Sequence, residues 1–233
     1  MDSSENFQPV TIARWVGWSM IATIIVGATT AMALASGINI NLSADVAATA
    51  EAMLGAEDRL RGKAYMGALS FGLDVIIAFG LFLLLRSTNA LIAGWSLFVG
   101  LVASLLMLLG AVFALNAAEI AGDPAYQSMA QDTRLLLASL QATSDYTSFH
   151  LGLVMASFAK AGFFYLFLKS GLIPKLISGW GIFASLFVGT TIVARDFIPA
   201  LGDGTITSAF MISNLIAVLA TGLYLGIRGV RTA

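Results

Sequence analysis

The sequence predicts an all-α polytopic membrane protein: six transmembrane helices in a bundle, with short amphipathic helices in the outer loops. Three observations lead there. Of 233 residues, 58% are hydrophobic and only 11% charged, whereas soluble domains carry about 25% charged residues. The apolar residues gather into six windows, 15–35, 64–85, 91–115, 149–168, 176–194 and 208–227, each long enough to cross a hydrocarbon core of ~30 Å as a helix. Within the windows the apolar runs are continuous and do not alternate as barrel strands do, and a helix pairs every backbone group internally. The chain reads as a single integral membrane domain over residues 1–233.

The first window requires a check against a cleaved leader. It ends in Ala33-Leu34-Ala35, a cleavage-like pattern. Its apolar run is longer than the usual 7–15 residues, however, and Asp2 and Glu5 precede it. A retained first span is therefore expected.

Charge in the connections sets orientation. Arg14, Arg86, Lys169, Lys175, Arg228 and Arg231 fall at one side, without an acid in the short second-to-third and fourth-to-fifth connections. The other three connections hold ten acids, from Asp45 to Asp203, together with Arg59, Arg61, Lys63, Arg134 and Arg195. Because the rule counts basic residues rather than net charge, the bias is six against five. It predicts that both termini lie on the inner side of the membrane.

Two outer connections are long enough to hold structure. In the first, Ser43 is suited to cap a helix with Asp45 in its first turn, and Val46, Ala50, Met53 and Leu54 fall on one face. In the second, Asp123-Pro124 reads as a cap followed by proline at the first helical position. Tyr126, Met129, Leu136, Leu137 and Leu140 give that stretch an apolar side. Interfacial helices and a lid over the bundle both fit.

A repeat is also suggested. Gly17-Trp18, Gly94-Trp95 and Gly179-Trp180 open the three spans that start inside, and the return spans end on Arg86, Lys169 and Arg228. An aromatic stands four residues before each of these: Phe82, Tyr165 and Tyr224. The pattern predicts three two-helix hairpins, although tryptophan and basic residues also collect at membrane interfaces in unrelated helices.

The chemistry-bearing residues are few. Asp74 and Lys160 lie in the middle of the second and fourth spans, at equal depth, where ionisable groups are costly and are usually paired or functional. They read either as a proton or ion relay or as a structural clamp between helices. Asn214 and Ser157 extend a polar track or serve as ordinary interhelical hydrogen bonds. His150 enters the fourth span near Tyr146 and reads as a pH sensor, a single axial ligand or a capped interfacial histidine. Arg195 and Asp196 close the fifth span as an end pair.

Other chemistry is excluded by what the sequence lacks. With no cysteine there is no disulfide or thiolate site, and one histidine cannot make a His-rich metal site. Zinc-protease, nucleophile-elbow and phosphate-loop motifs are missing. With charge near neutral, nucleic-acid binding is not expected. No cofactor is predicted, and no motif supports a bound lipid or pigment. Partners are the bilayer and either a homo-oligomer or a larger membrane complex.

One block carries a resemblance. Phe167-Leu168-Lys169-Ser170-Gly171-Leu172-Ile173-Pro174-Lys175 is similar to the inner turn of a bacterial membrane-protein family labelled as domain-of-unknown-function family 4386. The Ala-rich stretch 44–53, Leu73-Asp74 and Leu83-Leu84-Leu85-Arg86 fit it as well. The resemblance implies a multi-pass inner-membrane protein without an assigned activity, cofactor or catalytic residue. Lys160 departs from what the resemblance implies for its span. Three function classes stay open: small-solute or ion binding, transport or sensing through a polar core; an accessory subunit of a larger membrane complex; and a membrane enzyme acting on a lipid or isoprenoid.

Overall fold

A computed structural model describes residues 9–39 and 45–231. These residues are helical almost throughout, and six helices are long and apolar enough to cross a membrane. In chain order the helices are α1 (Pro9–Thr29, continued by a π-helical turn, Thr30–Leu34), α2 (Val46–Met53), α3 (Glu57–Leu85), α4 (Ala90–Gly122), the single turn α5 (Pro124–Gln127), α6 (Gln131–Ser170), α7 (Lys175–Arg195) and α8 (Gly204–Arg228). A 3-10 turn, Pro199–Gly202, joins the last two.

The helices cover the apolar windows closely, and α3, α4 and α6 run well past them at one end, to Glu57, Gly122 and Gln131. Helix α6 has 40 residues and α4 has 33, or roughly 60 Å and 50 Å of helix against a core of ~30 Å. Part of each helix therefore stands outside the hydrocarbon layer. In the second outer connection Asp123 does cap, accepting from the Ala125 amide at 2.7 Å with Pro124 in the first turn. The capped helix is one turn long. Leu136, Leu137 and Leu140 belong to α6 itself, because residues 131–151 contain neither glycine nor proline to stop the helix. In the first connection the cap on α2 is Asp45, whose carboxylate accepts from the Ala48 amide at 3.0 Å. Ser43 lies outside the described residues.

Two compact units divide the chain. The first comprises residues 1–24, 73–103 and 153–233. Its core joins Ala13, Val16 and Met20 of α1 with Leu84 and Leu85 of α3, Phe163, Phe164, Leu166 and Phe167 of α6, Ala184 of α7 and Leu225 of α8. Small residues let these helices meet. A Cβ on Gly17 would stand 2.2 Å from the Gly226 backbone nitrogen, and one on Gly181 would strike the Phe164 ring. Helix–helix association in lipid depends on such close packing. Gly94 and Gly179 face open space instead. The three Gly-Trp pairs thus make different contacts, Trp180 donating from Nε1 to the Ser213 carbonyl at 3.1 Å.

The second unit comprises residues 25–72 and 104–152. Its core is rich in alanine: Ala56 and Ala64 of the α2–α3 region, Ala114, Ala117 and Ala118 of α4, and Ala142 of α6, sealed by Ile38, Met53 and Leu60. Most of the outer acids and bases gather in this unit.

Candidate functional site

In the first unit, Asp74 lies 11 residues before the end of α3 and Lys160 lies 10 before the end of α6. At 1.5 Å per residue, each is ~15–17 Å from its helix end. Leu85 and Phe167, close to those two ends, share one core cluster, and the two charges lie at similar distances along their helices from it. Both residues are half-buried. Matching distance from the two helix ends is what relates the two ionisable groups that stand out in the apolar runs.

Nearby polar residues are placed differently. Ser157, one turn before Lys160, is buried and donates its hydroxyl to the Leu153 carbonyl at 2.8 Å within its own helix. It packs beneath Gly189 of α7, where an added Cβ would lie 3.1 Å from the Ser157 Cβ. Asn214 lies half-buried on α8, 10 residues after its start. Arg195 occupies the last turn of α7, where a cation complements the helix dipole, and the exposed Asp196 forms the C-cap.

The second unit holds a pairing that the sequence did not reveal. Lys63 Nζ of α3 reaches Asp145 Oδ2 of α6 at 2.5 Å, and the two side chains are 13% and 15% exposed. The other carboxylate oxygen nestles against Gly110 of α4; a Cβ there would lie 2.4 Å from Asp145 Oδ1. Three helices converge on one carboxylate. A more exposed layer surrounds Arg61, which meets Glu57 at 3.0 Å and Glu119 at 2.9 Å. The only hints in the sequence were that Lys63 immediately precedes an apolar window and Asp145 precedes another by four residues.

His150 belongs to this unit as well. Its Nδ1 lies 2.8 Å from the Tyr146 carbonyl. Since a carbonyl only accepts, Nδ1 carries the hydrogen there. The Tyr146 ring packs against the imidazole with centroids 3.9 Å apart. Among the described residues no group of three or more His, Asp or Glu side chains could hold a metal ion.

A family model described as a domain of unknown function, DUF4386, matches residues 15–229. The chain belongs to the DUF4386 family. The match begins within α1, takes in the other five spans whole, and includes Asp74, Lys160, Lys63 and Asp145. No curated protein and no solved structure matches the chain.

Proposed function

We propose that this DUF4386 protein binds and moves, or senses, a small solute or ion, with Asp74 and Lys160 as its working groups and Asn214 as a further polar contact. The observation that carries the reading is the matching depth of two opposite charges on separate spans, 11 residues from the end of α3 and 10 from the end of α6. Each charge alone would cost about 3 kcal/mol or more in the bilayer. Paired, they are tolerable, and exchange of a proton or a solute ion for one partner of the pair is the chemistry such an arrangement offers. The membrane is read as the bacterial cytoplasmic membrane with both termini inside, a reading supported by six basic residues at one end of the spans against five at the other.

The test uses purified protein in liposomes loaded with a pH-sensitive dye, under an imposed proton or alkali-ion gradient. Protein-dependent dissipation that is lost in both Asp74→Asn and Lys160→Gln supports the proposal. Dissipation equal to that of empty liposomes, or unchanged in both variants, overturns it. The pair would then be a structural clamp, as expected of an accessory subunit in a larger complex.

A further inference from the structure

Among the described residues, six cations without a facing acid rim one end of the first unit. Arg14, Arg86, Lys169, Lys175, Arg228 and Arg231 are all exposed, and each stands within three residues of a member of one core cluster: Ala13, Leu85, Phe167, Ile173, Leu225 or Val230. Their backbones are therefore at one level around one end of the bundle. Two contacts tighten part of that rim. The Arg231 amide donates to the Leu172 carbonyl at 3.0 Å, tying the C-terminal segment to the α6–α7 turn. Gly229, at φ +73°, lies where an added Cβ would be 2.9 Å from Val10 at the start of α1. Among the described residues of this unit, the acids are Asp74 in mid-span and Asp196 and Asp203 at the opposite helix ends. None of the six cations forms a described salt bridge.

Apolar groups accompany these charges. Arg14 is followed by Trp15 (66% exposed), Lys175 by Leu176 (83%), and Arg228 is preceded by Ile227 (61%). A cation beside an outward-facing apolar side chain matches the boundary where a lipid's phosphate meets its acyl chains. An acidic protein segment would match the charge but leave the neighbouring Trp, Leu and Ile unsatisfied. We propose that this rim selects anionic phospholipid headgroups, and that its densest part is the arc carrying Arg14, Lys169, Lys175, Arg228 and Arg231.

Each cation near an anionic headgroup contributes about fivefold to binding, so engagement of two or more gives a preference above about tenfold. The full chain, stripped of lipid in detergent, is offered equal amounts of phosphatidylglycerol and phosphatidylcholine with identical acyl chains, and bound lipid is counted by native mass spectrometry. The expected result is retention of phosphatidylglycerol over phosphatidylcholine by about tenfold or more, declining as salt is raised. Replacing the five arc cations with glutamine abolishes the preference. The variant Arg14→Lys, Arg228→Lys, Arg231→Lys keeps it, which guards against a folding defect in the glutamine variant. Equal retention of the two lipids by the natural sequence overturns the proposal. So does displacement of the phosphatidylglycerol by inorganic phosphate or by polyglutamate, which would assign the rim to a free anion or to an acidic protein.

Discussion

Asp145 Oδ2 accepts from the Lys63 ammonium at 2.5 Å across 82 residues of sequence, while Asp145 Oδ1 rests on the Cα surface of Gly110. The pair joins α3 to α6, and the glycine admits α4 to the same point. Removing one partner leaves a shielded charge without compensation, which costs about 3–5 kcal/mol in buried pairs. Asp145→Asn is thus expected to lower thermal stability in detergent strongly, and Asp145→Asn with Lys63→Met to recover much of the loss. Gly110→Ala should cost about 1–3 kcal/mol by displacing a carboxylate that is already held. Unfolding curves of the four proteins read all three outcomes.

The Gly-Trp pairs allow a controlled comparison. At Gly17 a Cβ would stand 2.2 Å from Gly226 N and 2.6 Å from Gly222 O, both backbone atoms that can yield only if the helices part. At Gly94 nothing lies within 4 Å. Gly17→Ala is expected to destabilise by about 1–3 kcal/mol. Gly94→Ala should be neutral or stabilise by up to about 1 kcal/mol through helix propensity. Equal effects at the two positions would contradict the packing of α1 against α8.

Acid sensitivity at the start of α8 follows from its cap. The Asp203 carboxylate accepts from the Thr205 amide at 2.7 Å, and the Thr205 contacts hold its pKa below the usual carboxylate value. A depressed folded pKa stabilises the protein above the unfolded value, and that contribution disappears as the pH falls through the folded one. Stability should therefore begin to drop below the ordinary value of 3.8. Asp203→Ala should remove this component of the acid limb and leave the other carboxylates' contributions in place. Thermal midpoints across an acid titration of both proteins measure the difference.

Orientation can be tested without background labelling, because the chain has no cysteine. Ser87 lies exposed in the α3–α4 turn, and Met129 is exposed between α5 and α6. With the termini inside, Met129→Cys reacts with a membrane-impermeant maleimide in intact cells and Ser87→Cys reacts only after permeabilisation. The reverse pattern places the termini outside.

The spans were legible because apolar runs in a charge-poor chain have one physical solution. The beginning of α6 was not, because residues 131–148 carry enough polar side chains to read as a connection while lacking any residue that breaks a helix. Asp74 and Lys160 stood out for a related reason: a charge within an apolar run is conspicuous, and equal depth follows from counting. Lys63 and Asp145 sit among other charged residues, so no local pattern separates a shielded pair from a solvated one. Their pairing is tertiary, as is the role of Gly110. The α2 cap is Asp45, which the sequence placed in the first turn, a difference on the scale at which helix starts are weakly specified.

The account rests most heavily on Asp74 and Lys160 acting as a coupled pair, and a double-mutant cycle measures that coupling directly. Stability is determined for the natural sequence, Asp74→Asn, Lys160→Gln and the double variant in one detergent–lipid mixture. The account predicts that Asp74→Asn alone, which leaves the Lys160 charge uncompensated, is less stable than the double variant. Losses that simply add would show that the two charges do not communicate, and would contradict it.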